Sequence, residues 1–271
     1  MENVSYFKGF PDRFSGITVS SSEEYLTITN FEDTLQASLQ RWNELKMRAI
    51  WFNVDLNHSE WVPILAKNGF TYHRAQSDEV TMVRWLPKDE PNNIPRYAHN
   101  MVGVGAFVVN EEGELLVVQE RFYKHPHWKL PGGYVEPDED IQDAAIREVK
   151  EETGVDTDFQ SVISFRHVHG ANFGCSDFYF IVHLRPKSKE ITMCKNELSA
   201  CQWMKIQDYI DSPFVHQTNR FFANAYLEGN KRGVHIKATD IYQDYLKKYQ
   251  KVYSVHFDSD DKSDSGVNGK L

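Results

Sequence analysis

Between Leu130 and Val155 the chain reads LPGGYVEPDEDIQDAAIREVKEETGV, and this stretch restricts its fold more tightly than any other. A helix from about Asp138 to Thr153 has both ends marked. Pro137 stands just ahead of it, and Gly154 stands where a chain stops by adopting the left-handed conformation. At about 100° per residue, Glu148, Glu151 and Glu152 fall within roughly 100° of one another and share one face. Ile141, Ala144 and Ala145 project over the same arc, Asp143 and Lys150 take the opposite side, and Ile146 breaks the pattern. A glutamate-rich surface helix would not carry that apolar stripe. Three carboxylates beside it repel one another and lose hydration, so they need a partner of high positive charge. Oxygen ligands of this kind select a hard divalent ion, Mg²⁺ or Mn²⁺, and Mg²⁺ held by few protein ligands usually serves a substrate phosphate.

The same residues resemble the Nudix hydrolase signature: Gly, five residues, Glu, seven residues, then Arg-Glu-aliphatic-any-Glu-Glu-any-Gly-aliphatic. The fixed places are filled by Gly133, Glu139, Arg147, Glu148, Val149, Glu151, Glu152, Gly154 and Val155, with no departure. From average residue usage, a chance match in a chain this long is on the order of one in ten million. The resemblance implies hydrolysis of a nucleoside diphosphate linked to another moiety, with metals along the helix and water attacking phosphorus. By motif position it implies Glu148 and Glu152 as metal ligands, Glu151 as a further ligand, and the Gly133 carbonyl as one that completes the shell. Glu148 acting as the base is the alternative, because family members differ in which carboxylate deprotonates the water. Arg147 would orient a glutamate and Glu139 would hold the loop to the helix. In such a site the metals neutralise the diphosphate, lower the pKa of bound water and keep nucleophile and leaving group in line.

A chain of 271 residues, 41% hydrophobic and 13% aromatic, allows one large or two ordinary domains with a real core. Its net charge of −9 offers no general attraction to DNA or to an anionic membrane. Cys175, Cys194 and Cys201 form no CxxC pair and are odd in number, so neither a zinc knuckle nor a disulfide framework is expected. The first residues lack the basic and apolar regions of a secretory signal, and no apolar run approaches 18 residues. The expectation is a cytoplasmic protein, with a nuclear share left open.

Along the chain, a small α/β unit is expected first, from about Phe7 to Trp85. Phe31, Leu35, Leu39, Trp42 and Leu45 give helical spacing over Phe31 to Met47. Ala49 to Val54 reads as a buried strand, Asn57 as the cap of a helix stopped by Gly69, and Phe70 to His73 and Val80 to Trp85 as two more strands. Pro87, Pro91 and Pro95 place a linker over residues 86–100. Beyond it, Val102 to Val109 and Leu115 to Glu120 read as strands covered on both faces and joined by a hairpin turn at 110–113.

Substrate contacts are sought in Trp128, His167, His169 and Phe173. Trp128 is placed to stack on a base or to join the core, and His125 and His127 are expected to be exposed loop residues. His167 and His169 lie on one face of a strand, Phe159 to His169, and suit substrate phosphates better than zinc. Phe173 sits in a glycine-flanked loop before a strand at Asp177 to Arg185 and is a candidate lid. Glu197, just ahead of another strand, is the candidate for an additional acidic ligand or base. A last helix over Phe214 to Leu227 is expected to cover the sheet with Phe221, Phe222, Ala225 and Tyr226.

The predicted fold class is thus α/β: a Nudix α/β/α sandwich around a mixed sheet over 101–256, after an α/β domain and linker over 1–100, and before a disordered acidic tail over 257–271. The first domain resembles the one ahead of a Nudix branch and is similar in outline to acetyltransferases of the GNAT type. Only Gly9, Gly16 and Gly69 precede the linker, too few and too far apart for an acetyl-CoA phosphate loop, so a homodimer contact or a gate is the more economical role. The whole chain looks like the branch containing plant ADP-ribose and NADH pyrophosphatases and the animal antisense basic fibroblast growth factor protein. That resemblance implies ADP-ribose or NADH as substrate and AMP as a product. The alternatives are a binding protein on the same scaffold with little turnover, and hydrolysis of a nucleotide cap on RNA.

Overall fold

In the computed structural model, which describes residues 5–24 and 28–258, the chain divides into two units, Met1–Ala98 and His99–Leu271. The tail expected to be disordered lies outside the described residues from 259 onward.

The first unit is a five-stranded sheet in the order β1 (Phe10–Pro11), β2 (Ile17–Ser20), β3 (Ala49–Asp55), β5 (Glu79–Trp85), β4 (Thr71–Ala75). Helix α1 (Ile28–Glu44) connects the parallel pair β2 and β3. Its apolar stripe of Phe31, Leu35, Leu39 and Trp42 buries against Ile50 and Phe52 of the sheet and against Trp61 and Leu65 of α2 (Trp61–Lys67). Two expectations shift. Helix α1 ends at Glu44 and not at Met47, because Lys46 turns left-handed (φ +56°) and the amides of Lys46 and Met47 cap the carbonyls of Asn43 and Trp42. Asn57 caps no helix: it lies inside a short 3₁₀ turn, where the Asp55 carboxylate accepts its amide, and α2 begins only at Trp61.

The second unit has a mixed five-stranded sheet in the order β12 (Lys248–Phe257), β11 (Val234–Gln243), β8 (Thr157–Val168), β9 (Ser176–Pro186), β6 (Asn100–Val108), with β6 and β9 parallel. A two-stranded ladder pairs β7 (Glu114–Glu120) with β10 (Leu198–Lys205). The turn at 110–113 forms as expected, the Asn110 carboxamide accepting the amides of Glu112 and Glu114. The strands it joins then part: beyond one bridge, Val109 to Leu115, β6 pairs with β9 and β7 with β10. Period-2 alternation splits the core into two layers. Val104, Ala106, Val108, Leu116, Val182 and Leu184 pack with Ala144, Ala145 and Val149 of α3 (Ile141–Thr153). Phe107, Leu115, Val117 and Ile181 pack with Tyr209 of α4 (Ile206–Asp211) and with Phe222 and Ala223 of α5 (Gln217–Arg232). The result is the expected α/β/α arrangement. Helix α5 covers the sheet with Phe222, Ala223 and Tyr226, whereas Phe221 faces outward at 65% exposure. Among the described residues no helix is long and apolar enough to cross a membrane.

Candidate active site

The signature loop runs along β6 like an extra half-strand. The Ala106 amide donates to Pro131, Val104 to Gly133, and Val135 to Val102, at 2.8, 2.8 and 2.9 Å. Such close approach requires glycine. Gly132 has φ +153°, and a Cβ there would collide with the Val104 carbonyl; one at Gly133 would collide with the Glu148 carboxylate. The Gly133 carbonyl, expected to serve a metal, already accepts one amide and keeps its second lone pair. Helix α3 starts at Ile141 and not at Asp138, whose φ of +63° is incompatible with a helix. It ends where expected, at Gly154 (φ +74°), against which Thr192 is packed.

Arg147 is the hub between loop and helix. Its Nε and Nη2 donate to the two oxygens of Glu139 at 2.8 and 2.9 Å, and Nη2 also donates to the Tyr134 carbonyl at 3.0 Å. Nη1 donates to Glu148 at 2.8 Å and to Glu151 at 3.2 Å, so all five guanidinium protons are in use. The bond to Glu139 is the largest influence holding Arg147 charged, and the same bond holds the Glu139 carboxyl below its usual range.

The three signature glutamates share a side of the helix but not an environment. Glu152 is 5% exposed, and burial pushes its pKa up to about 7; Lys129 and the Gly132 amide oppose the rise, while Glu148 and Glu197 add to it. Glu148 is largely buried, but the Glu151 side chain is 58% exposed, held only by Arg147 at the rim of the helix, contrary to a wholly unsolvated face. The loop after β9 is pinned to the end of α3, the amides of Thr192 and Cys194 donating to the Thr153 and Glu152 carbonyls at 2.8 Å. This brings Glu197 opposite the helix. A cavity of about 340 Å³ results, lined by Glu120, Phe122, Lys129, Gly132, Glu148, Glu152, Asn196, Glu197 and Leu198.

Sequence reasoning passed over three of these residues. Glu120 ends an apolar strand, Lys129 precedes the signature's Gly133 by four residues and pairs with Glu120 at 2.5 Å, and Phe122 is 84% exposed at the cavity mouth. A charged residue closing a buried strand beside a motif was the available signal for the first two.

The substrate candidates lie elsewhere. Trp128 is half-buried and packed with the α5-side core, its amide donating to the Phe214 carbonyl. That bond also corrects the expectation for His127, which is drawn in to 9% exposure between Tyr123 and His216, with ring centroids 4.0 and 5.3 Å away. His167 stacks on Phe178 at 4.0 Å, and His169 Nδ1 lies 2.9 Å from Ser176 Oγ; neither lines the carboxylate cavity. Phe173 is 93% exposed with φ +57°, and its loop is fastened to the signature loop by Asn172, which donates to the Tyr134 hydroxyl at 2.8 Å. All three cysteines are free.

Among the described residues no three acidic, histidine or cysteine side chains converge closely enough to hold an ion as they stand. Arg147 accounts for this by drawing Glu148 and Glu151 to itself. The donor set nevertheless suits a hard cation: Glu148, Glu152, Glu197 and Glu120 share one cavity, and Glu152 is desolvated with no ion pair among the described residues.

An α/β/α sandwich with a carboxylate-lined cavity between a glycine loop and a glutamate-rich helix is the class of protein this fold and site define. Residues 7–86 match the model of a Nudix hydrolase domain and residues 99–225 that of the NUDIX domain. The chain belongs to the Nudix hydrolase family. Nudix hydrolase 8 of Arabidopsis thaliana is 39% identical over 80% of this chain, which spans 60% of that protein's length. Nucleoside diphosphate-linked moiety X motif 6 of Homo sapiens is 34% identical over 96% of this chain and 85% of its own. Among solved structures, a MutT protein from Methanosarcina mazei aligns over 51% of this chain and 99% of its own, at 20% identity and a TM-score of 0.43.

Proposed function

We propose that the second unit hydrolyses the diphosphate of a nucleoside diphosphate linked to another moiety, with ADP-ribose and NADH as the leading substrates and AMP as a product. One observation carries the reading: a buried carboxylate, Glu152, with no ion pair among the described residues, shares a cavity with three others and adjoins Lys129. Glu148 and Glu152 would hold Mg²⁺ or Mn²⁺, with Glu151 as the outer carboxylate and the free lone pair of Gly133 O beside them. When bound, the ion supplies charge neutralisation of the diphosphate and acidification of a water. Lys129 orients a diphosphate oxygen, Glu197 accepts the proton of the attacking water, and Arg147 fixes Glu148 without touching substrate. Phe122 and Phe173, both exposed, offer faces for a base.

Incubating the protein and Mg²⁺ with ADP-ribose, NADH, FAD, diadenosine polyphosphates and capped RNA tests this, with AMP release followed chromatographically. Glu148→Gln and Glu152→Gln are expected to cost at least about two orders of magnitude in turnover. If every compound survives, the reading fails and a binding protein on the Nudix scaffold replaces it, as the Arg147 grip on two of the glutamates would favour. For the first unit we propose a homodimer contact, supported by exposed Tyr6, Phe10, Phe14 and Tyr72. A monomeric mass by light scattering at micromolar concentration would remove it.

A further inference from the structure

We infer that a second cavity, adjoining the carboxylate one and sharing Lys129 with it, receives a phosphate monoester carried by the substrate away from the diphosphate. The inference rests on the hydrolase reading above, because one substrate must bear both groups. The cavity is about 430 Å³, and it gathers donors of three kinds.

Two are cations, Lys129 and Arg166 of β8. Each has a carboxylate partner, Glu120 for Lys129 and Asp177 for Arg166, but neither carboxylate lines this cavity, so it is walled by the positive members. The second kind is the start of α5, a helix of 16 residues whose first turn, Gln217 and Thr218, lines the wall. Its N-cap, His216, makes no side-chain cap bond, which leaves the first-turn amides without an intrahelical acceptor and the positive end of the helix facing the cavity.

The third donor points to a ligand independently. His127 is nine-tenths buried on the cavity wall, and its Nδ1 has no hydrogen-bond partner among the described residues. A buried imidazole nitrogen left unbonded is costly, and because the ring lines the cavity, a rotation that turns this nitrogen towards an acceptor there would relieve it. A nucleobase fits less well. It needs an open aromatic face, whereas Phe222 is buried and Tyr179 is covered by the Arg166 guanidinium, 5.0 Å above its ring. A monoester presents several anionic oxygens to donors that converge from a strand, a helix end and a loop, and it needs no ring face.

The test compares substrates that differ only by that group: NADPH with NADH, ADP-ribose 2′-phosphate with ADP-ribose, and coenzyme A with its dephospho form. The full chain with Mg²⁺ is expected to favour at least one phosphorylated member by about tenfold or more in kcat/KM, mainly through KM. In Arg166→Gln and in His216→Ser, whose hydroxyl would cap the first-turn amides and compete for them, that ratio falls towards one. Calorimetry without metal provides a readout independent of turnover. Adenosine 2′,5′- or 3′,5′-bisphosphate is expected to bind at least about tenfold more tightly than AMP, with the difference lost in both variants. Equal handling of every pair together with equal binding of mono- and bisphosphate overturns the inference. So does inorganic phosphate binding as tightly as the bisphosphates, since the site would then belong to the free ion. Absence of hydrolysis with the binding difference intact would sink the hydrolase reading and leave the phosphate site standing.

Discussion

Replacing Glu152 by Gln should abolish activity and yet stabilise the metal-free protein, in a pH window that the structure specifies. The carboxylate is 5% exposed, and burial lifts its pKa from 4.5 to about 7. A group whose folded pKa is raised contributes stability below its unfolded pKa and loses it as pH rises through the folded value. Here the loss begins near pH 4.5 and is complete a little above 7. At pH 8 the ionised carboxylate costs the fold about 3 kcal/mol relative to pH 4.5, since each unit corresponds to about 1.36 kcal/mol. Glutamine has the same shape, can accept the Gly132 amide that Glu152 accepts at 3.3 Å, and carries no charge. In EDTA at pH 8 the melting temperature of the second unit should therefore rise by about 5 to 10 °C in Glu152→Gln, with little difference at pH 5. With Mg²⁺ present the ordering should reverse, because the wild type gains binding energy and the variant gains less. Scanning calorimetry at the two pH values, with and without Mg²⁺, measures all four quantities. A variant that is less stable than wild type at both pH values in EDTA would refute the reasoning, because the carboxylate would then be held by favourable contacts.

Other perturbations separate the roles of the remaining residues. Arg147→Lys keeps one charge but cannot reproduce the five-donor fork, and should lower stability by about 2 kcal/mol in urea unfolding, with loss of activity following from a displaced Glu148. Glu197→Gln should lower kcat with KM and melting temperature nearly unchanged; unaltered turnover would remove it from the site. Gly132→Ala should disrupt the loop, since its Cβ would meet the Val104 carbonyl, and a variant of wild-type stability and activity would contradict the positive φ at that position.

The site's centre was legible in the sequence because its chemistry is local. Glu139, Arg147, Glu148 and Glu152 sit within 14 positions on a loop and one helix, so spacing alone brings them together. What escaped depends on other elements. Glu120 and Lys129 face each other because the chain after β7 folds back along it, Val118 and Lys129 exchanging amide bonds at 2.9 and 3.0 Å, a bridge that no local pattern announces. His127 was misread for the same reason, its burial depending on a bond from Trp128 to Phe214, 86 positions away. The hairpin of β11 and β12 gave no clear signal, since Tyr242, Tyr249, Val252 and Val255 are exposed on strands whose apolar residues do not mark a core. Boundaries moved where single residues turned left-handed, at Lys46 and Asp138, positions that composition does not flag.

Arg147 and Glu152 are best understood together. Arg147 commits all five protons to Glu139, Glu148, Glu151 and the Tyr134 carbonyl, and Lys150, the other cation inside the signature, is bonded to Asp156 and the Gly154 carbonyl, so both are consumed in fixing geometry. None of those protons reaches Glu152, and Lys129, which lies near it, is paired with Glu120. Arg147 thus holds every signature glutamate except the most buried one, which has the Gly132 amide at 3.3 Å but no ion pair among the described residues. A fold that needed only stability would place an apolar side chain of similar size there, as commonly succeeds for buried charges. A carboxylate ionised at that position becomes favourable when something positive enters the cavity, and on the proposed reading the cost of its burial would favour a cation over water there.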